Sequence, residues 1–160
     1  QRSERFSYNA FSTLGTLRYP GNRGRERDQV VLGGGGLWSH SSFKQRLTLY
    51  AALEPARSSA ADHYGRNRLG LSSQSSWRLS DSQQLEGQLS LLQSNFSDEQ
   101  PVFNKEREDT LIRASVTWRA ALTRKLVLTT QVSYRNNSSN IDLFSYDQAI
   151  AETGVRYRFF

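Results

Sequence analysis

The sequence predicts an all-β fold, an antiparallel sheet of eight strands, from three observations. Apolar residues recur at every second position along most of the chain, the period of a strand with one apolar face. No long segment carries the 3.6-residue period of an amphipathic helix. The segments between the alternating runs switch between long polar stretches and tight turns.

The first two strands, about 5–19 and 28–39, are the least regular. The second contains Gly33-Gly34-Gly35-Gly36, which offers no side chains to read. It lies between Val30-Val31-Leu32 and Leu37-Trp38, so it is assigned as strand with a bend or a close backbone approach. The third sets Phe43, Gln45, Leu47, Leu49, Ala51 and Leu53 against Lys44, Arg46, Thr48, Tyr50, Ala52 and Glu54. The fourth places Leu69, Leu71, Trp77 and Leu79 on its apolar face together with two serines, and the fifth uses Leu85, Gly87, Leu89 and Leu91. The sixth sets Ile112, Ala114, Val116, Trp118 and Ala120 against Leu111, Arg113, Ser115, Thr117 and Arg119. The seventh sets Leu126, Leu128, Thr130, Val132 and Tyr134 against Val127, Thr129, Gln131, Ser133 and Arg135. The last sets Ala151, Thr153, Val155, Tyr157 and Phe159 against Ile150, Glu152, Gly154, Arg156 and Arg158.

The predicted connections alternate. Long polar ones cover 20–27, 55–65, 97–108 and 136–146; tight ones lie near Ser39–Ser42, Ser80–Ser82 and Leu122–Arg124. Short turns at one end and long loops at the other are the asymmetry of a transmembrane barrel. Trp38, Trp77 and Trp118 all fall within a few residues of the tight turns, as do Phe43, Tyr157 and Phe159, whereas Tyr19 and Tyr134 are expected beside the long connections. Amphipathic rings settle at headgroup depth, so two aromatic girdles are expected. The expectation is therefore an antiparallel transmembrane β-barrel. A soluble sandwich or a lipocalin-like barrel would alternate too, but its apolar face would point inward and its loop lengths need not alternate.

Composition bounds the chemistry. The chain has 160 residues, no Cys and two His, which excludes disulfide frameworks, thiolate metal sites and a His-rich metal cluster. No cofactor is expected. No run of about 18 apolar residues exists, so no transmembrane helix is expected. Met is absent, so residue 1 reads as a processed or trimmed end with any signal peptide gone. The net charge of +6, carried mostly by Arg, suits anionic partners. No recognition helix or zinc module accompanies that charge, so no nucleic-acid role is assigned.

The last strand resembles the C-terminal signature of bacterial outer-membrane β-barrel proteins, which the barrel assembly machinery recognises. Glu152, Gly154, Tyr157 and Phe159 fall on its polar, glycine, aromatic and final aromatic positions; Phe160 follows the usual last residue. The resemblance implies an outer-membrane location, with outer-membrane lipid, lipopolysaccharide and the assembly machinery as partners and a periplasmic or membrane complex as a further one. The stretches Ser133–Asn140, Tyr146–Gln148 and Gly154–Phe159 are also similar to the barrel ends of tetratricopeptide-linked outer-membrane export proteins. The whole chain, 1–160, reads as one barrel domain, or as the C-terminal part of a larger barrel.

The face opposite the lipid then holds Arg46, Arg113, Arg135, Arg156 and Arg158 with few acids, among them Glu54, Glu86 and Glu152. Glu86 and Glu152 are expected to pair with Arg113 or Arg156. An Arg-lined lumen would favour anions. Outer loops add Arg23, Arg25, Arg27, Arg57, Arg66 and Arg68, guanidiniums suited to phosphate. Some small outer-membrane barrels modify lipid A with His, Ser and an acid. Here Ser58, Ser59, Asp62 and His63 share one loop, and His40 and Ser42 share a turn, but neither forms a catalytic motif, and no catalytic residue is assigned. The expected role is non-enzymatic anchoring, scaffolding or assembly. The alternatives are a pore exporting an anionic polymer or lipoprotein, and a lipid A-modifying barrel.

Overall fold

Alternation along the chain becomes a sheet because each apolar run finds its neighbour in register. The structure, a computed structural model, describes residues 4–21 and 25–159. Arg23, assigned to an outer loop, and Phe160, the residue after the C-terminal signature, lie outside the described residues. Eight strands form: β1 (Arg5–Leu17), β2 (Arg27–His40), β3 (Phe43–Glu54), β4 (Arg66–Arg78), β5 (Gln83–Gln100), β6 (Lys105–Ala121), β7 (Leu126–Ser139) and β8 (Tyr146–Tyr157). They make one antiparallel sheet in sequence order. The sheet is open: among the described residues, β1 and β8 pair only with β2 and β7.

The glycine run is strand, as its flanks predict, and its neighbours explain it. A Cβ on Gly33 would run into the Phe11 ring and the Leu49 carbonyl; one on Gly36 would lie 3.2 Å from the Phe6 ring. Gly70 on β4 sits beneath the Tyr50 ring in the same way. The sheet lets aromatics of one strand cover glycines of the next.

The tight turns are short, with Ser41–Ser42 between β2 and β3. Ser41 takes a left-handed φ of 46°, which lets two residues reverse the chain. Of the long connections, 20–27 lies partly outside the described residues, 55–65 forms with a short 3-10 turn at Ser59–Tyr64, and the last forms with one at Asp142–Phe144 but starts later than expected, because β7 runs to Ser139. The remaining one differs from expectation. The stretch 97–108 is not a loop: β5 and β6 continue through it to a turn at 101–104, past a register shift between Asn95 and Glu99. Backbone pairing extends a hairpin whether or not its side chains alternate in polarity, so the period could not reveal it.

The two faces differ sharply. Register puts Leu47, Leu49, Leu69, Leu71, Leu89, Leu91, Ile112, Val116 and Val132 on one face, and every one of them is exposed. The other face carries Ser, Thr, Gln, Arg and Glu, and it is the more enclosed. Only five apolar residues are buried among those described: Ala52, Ala61, Phe96, Ala120 and Ile141. The largest fully buried side chain is Glu54.

Polar residues on the apolar face satisfy one another. Gln45 Nε2 donates to Ser73 Oγ at 2.7 Å, and Ser75 Oγ donates to Gln45 Oε1. These include the two serines expected on the apolar face of β4. Thr130 and Thr153, directly opposite on β7 and β8, join hydroxyls at 3.1 Å.

Candidate functional site

The aromatics near the tight turns gather on the apolar face. Phe6 is opposite Trp38, Phe43 is opposite Trp77, and Leu85 lies between Trp77 and Trp118. Phe43 stands 5.2 Å from Trp38 and 5.3 Å from Trp77, centroid to centroid. Tyr157 and Phe159 meet edge to face at 5.1 Å. Aromatic rings thus line this end of the apolar face.

The other end departs from expectation. Tyr134 lies level with Ala114 and Leu89 in mid-sheet, because β7 runs on to Ser139 before the chain turns. Tyr19 turns to the polar side, where its hydroxyl accepts a 2.8 Å hydrogen bond from Arg27 Nη2. Tyr64, Phe96 and Phe144 join it there.

Of the C-terminal signature, Glu152 and Gly154 share the polar face opposite Gln131 and Thr129, while Tyr157 lies on the apolar face. A Cβ on Gly154 would meet nothing within 4 Å, so packing within the sheet does not require glycine there.

Two hollows on the polar face contain arginines expected there. The first, about 450 Å³, is lined by Ser72, Gln88, Ser90, Arg113, Ser115, Gln131, Ser133, Arg135 and Gln148, from five strands. Arg113 and Arg135 are directly opposite each other on β6 and β7. Like charges so placed repel, and neither has a carboxylate partner within 4.0 Å among the described residues. The second, about 310 Å³, holds Lys44, Arg46, Gln74, Ser76 and Glu86. Glu86 pairs with Arg119 and accepts from Gln84 Nε2 at 3.0 Å. The expected pairing of Glu86 with Arg113 is thus corrected: Arg119 and Gln84 sit beside it at the tight-turn end, whereas Arg113 is opposite Ser90, further along the strand. Arg156 is opposite Val127, and Arg158 follows β8, its backbone N–H donating to Lys125 O at 2.9 Å.

A third cluster sits where the long connections meet the polar face. Glu54, with no exposed side-chain surface, faces Arg27 at 3.5 Å and Arg66 at 2.8 Å and also pairs with Arg68. Gln29 Nε2 donates to it at 3.0 Å. One carboxylate thus anchors three guanidiniums that are 10, 25 and 17% exposed. Beside it, Arg107 donates through Nε to Asp109 Oδ1 at 2.9 Å, and its guanidinium lies 3.5 Å from the Phe144 centroid and 4.6 Å from that of Phe96. Arg25 lies over Tyr64 at 5.1 Å. A cavity of about 390 Å³ opens between these groups. Five guanidiniums here meet two carboxylates, and enclosing unpaired charge costs several kcal/mol per ion. The sequence had marked Arg25, Arg27, Arg66 and Arg68 as outer-loop cations. It did not single out Arg107, Phe96 or Phe144, whose convergence depends on the extended β5–β6 hairpin. Arg57, also an outer-loop cation, bonds Asp28 Oδ1 through Nε and Nη2 at 2.9 and 2.7 Å. Those bonds, followed by one from Thr16, hold the Asp28 carboxyl below its usual range.

Among the described side chains, the His, Asp and Ser residues weighed for catalysis do not come together. His63 packs on Tyr64 at 4.1 Å, and no side-chain hydrogen bond joins it to Asp62 or Ser58. His40 lies at the opposite end, 3.3 Å from Glu4. No group of three or more potential metal ligands occurs among the described residues.

Residues 58–158, more than half of the chain, match the model of a family described as protein of unknown function (DUF2860). The match runs from just before the 3-10 turn at Ser59–Tyr64 to the end of β8. No curated protein and no solved structure matches.

Proposed function

We propose that this chain, which belongs to the DUF2860 family, forms the wall of a transmembrane β-barrel in a bacterial outer membrane. Its role there is anchoring, scaffolding or assembly rather than catalysis. The observation that carries this reading is inverted polarity. Leu47, Leu49, Leu69, Val116 and Val132 are each 50% or more exposed, while Glu54 is fully buried on the opposite face. With five apolar residues buried among those described, the sheet has little of the core that would hold it together in water. In a bilayer the same sheet needs no such core, because lipid covers the apolar face and backbone pairing satisfies the strands.

Two features add support. The apolar band runs from Val30 to Trp38 on β2 and from Leu126 to Tyr134 on β7, lengths suited to strands of about 9–11 residues tilted across a bilayer. The girdle at the tight-turn end puts Trp and Phe where headgroups would lie. Lipid and lipopolysaccharide are then the partners of the apolar face, and the assembly machinery is the partner of Tyr157 and Phe159.

A second reading within the same class is a pore for an anionic polymer or lipoprotein. Arg113 opposite Arg135, in a hollow lined largely by serines and glutamines, favours it.

Two neighbouring positions test the membrane assignment. Val116→Arg puts a charge on the apolar face, at a cost of about 2–4 kcal/mol at the bilayer midplane. It should reduce the heat-modifiable, folded fraction in outer membranes. Ser115→Arg, facing the polar side, should be milder. Equal yields of the two variants, or a wild-type chain recovered wholly in the soluble fraction, would refute the reading.

A further inference from the structure

The Arg–aromatic cavity beside Glu54 has chemistry that the barrel wall does not use. Four guanidiniums line it, those of Arg25, Arg27, Arg66 and Arg107, against two nearby carboxylates, Glu54 and Asp109, and all but exposed Arg25 are largely enclosed. Their donors are not all engaged. Among the described residues, the terminal nitrogens of Arg66 donate to no hydrogen-bond acceptor, and the Arg25 guanidinium donates to none either. The Nε atoms of Arg27 and Arg68 are buried without an acceptor. Arg27 is the important case, because its side chain is only 10% exposed and it lines the cavity. Aromatic rings account for the positions of the others. Arg107 lies between Phe144 and Phe96, and Arg25 over Tyr64. A stacked guanidinium turns its N–H edge outward to acceptors: that of Arg25 meets none among the described residues, whereas Arg107 gives Nε and Nη2 to Asp109 and keeps Nη1 for an oxyanion.

We infer that this cavity binds the phosphate group of a small soluble molecule, a phosphate monoester. A phosphate monoester brings close to two negative charges and three strong acceptor oxygens, which suits converging guanidiniums better than a single carboxylate does. The volume of about 390 Å³ leaves room for a small organic group beyond the phosphate. A lipid phosphate is the other source of this chemistry. Arg27, Arg66 and Arg107 project on the polar side of the sheet, away from the face carrying Leu47 and Leu69, so the soluble source is the one assigned. The inference stands on the cavity alone, whatever membrane the chain occupies.

The test is calorimetric titration of the folded full-length chain in detergent with glucose 6-phosphate. Glucose serves as the uncharged control, and micelles doped with phosphatidic acid supply lipid-borne phosphate. Glucose 6-phosphate should bind saturably and more weakly as salt is raised, and glucose should not bind. Arg25→Gln and Arg107→Gln should each weaken binding about tenfold, the loss of one charge-assisted contact. Tryptophan fluorescence reports folding independently, since all three Trp lie toward the opposite end. The Arg25 guanidinium donates to no described residue, so Arg25→Gln remains informative even if Arg107→Gln fails to fold. The proposal is overturned if glucose 6-phosphate does not bind, or if folded Arg25→Gln binds it as wild type does. Competition by phosphatidic acid at equal phosphate would overturn the soluble source.

Discussion

Glu54 shows how much a single register position can decide. It is opposite Arg66 on β4; that pairing also brings Arg68 against it, and Arg27 reaches it from the start of β2. Replacing it with Gln leaves three enclosed guanidiniums without their shared counter-charge. Removing one partner of a buried ion pair typically costs about 3–5 kcal/mol. Glu54→Gln should lower the urea midpoint of the folded chain by a corresponding amount, whereas Glu152→Gln, exposed on β8, should leave it unchanged. Alternation assigned Glu54 to the polar face from the sequence. Its three partners were not legible, because they lie on β2 and β4 and meet it only once strand register is fixed. The same holds for Glu86: its face was readable, but its choice of Arg119 over Arg113 required knowing which rung of the ladder each occupies.

At the scale of elements, period two identified most of the eight strands, and the glycine run was assigned from its apolar flanks. The period misjudged the β5–β6 connection, where pairing continues through a polar stretch. That one error hid the loop-end cavity, because Phe96 and Arg107 belong to the extension. Elsewhere at that end, Arg57 fastens the β3–β4 connection to Asp28 at the start of β2, outside the apolar band. The folded carboxyl titrates below its ordinary value of 3.8, foremost because Arg57 donates to it. The tether is therefore fully present above the ordinary carboxylate range and is lost as pH falls through the depressed folded value. Proteolysis of the 55–65 connection should be slow at neutral pH and rise only below about pH 4. In Asp28→Asn it should already be fast at neutral pH; equal rates in the two proteins would exclude the tether.

For the whole molecule, the two open edges matter most. β1 and β8 are 13 and 12 residues long and have one paired neighbour each among the described residues. Long unpaired edges invite pairing with other chains. In the barrel proposed above they would close on each other or pair with strands outside this sheet. Arg113 facing Arg135 without an acid argues for the second arrangement, because a closed eight-stranded lumen is filled by side chains and has little room to hydrate both. The chain has no Cys, so paired cysteines can be placed along β1 and β8 without interference. No register of such pairs should cross-link within one molecule, since a disulfide needs Cα atoms about 4.4–6.8 Å apart. Efficient internal cross-linking at one register would instead establish an eight-stranded barrel and lower the standing of the pore reading.

The glycine strand has a consequence for how this sheet can be cut, evolved or assembled. β2 has no side chains of its own at Gly33 and Gly36 and relies on Phe11 and Phe6 of β1 to cover it there. The hairpin is therefore a lender and a borrower, and neither strand has a complete surface alone. A shortened chain that begins after β1 would lose more than one strand: it would leave a bare backbone strip at the new rim. Exchange protection along Gly33–Gly36 should accordingly rise and fall together with that of Phe6–Phe11, as one cooperative unit.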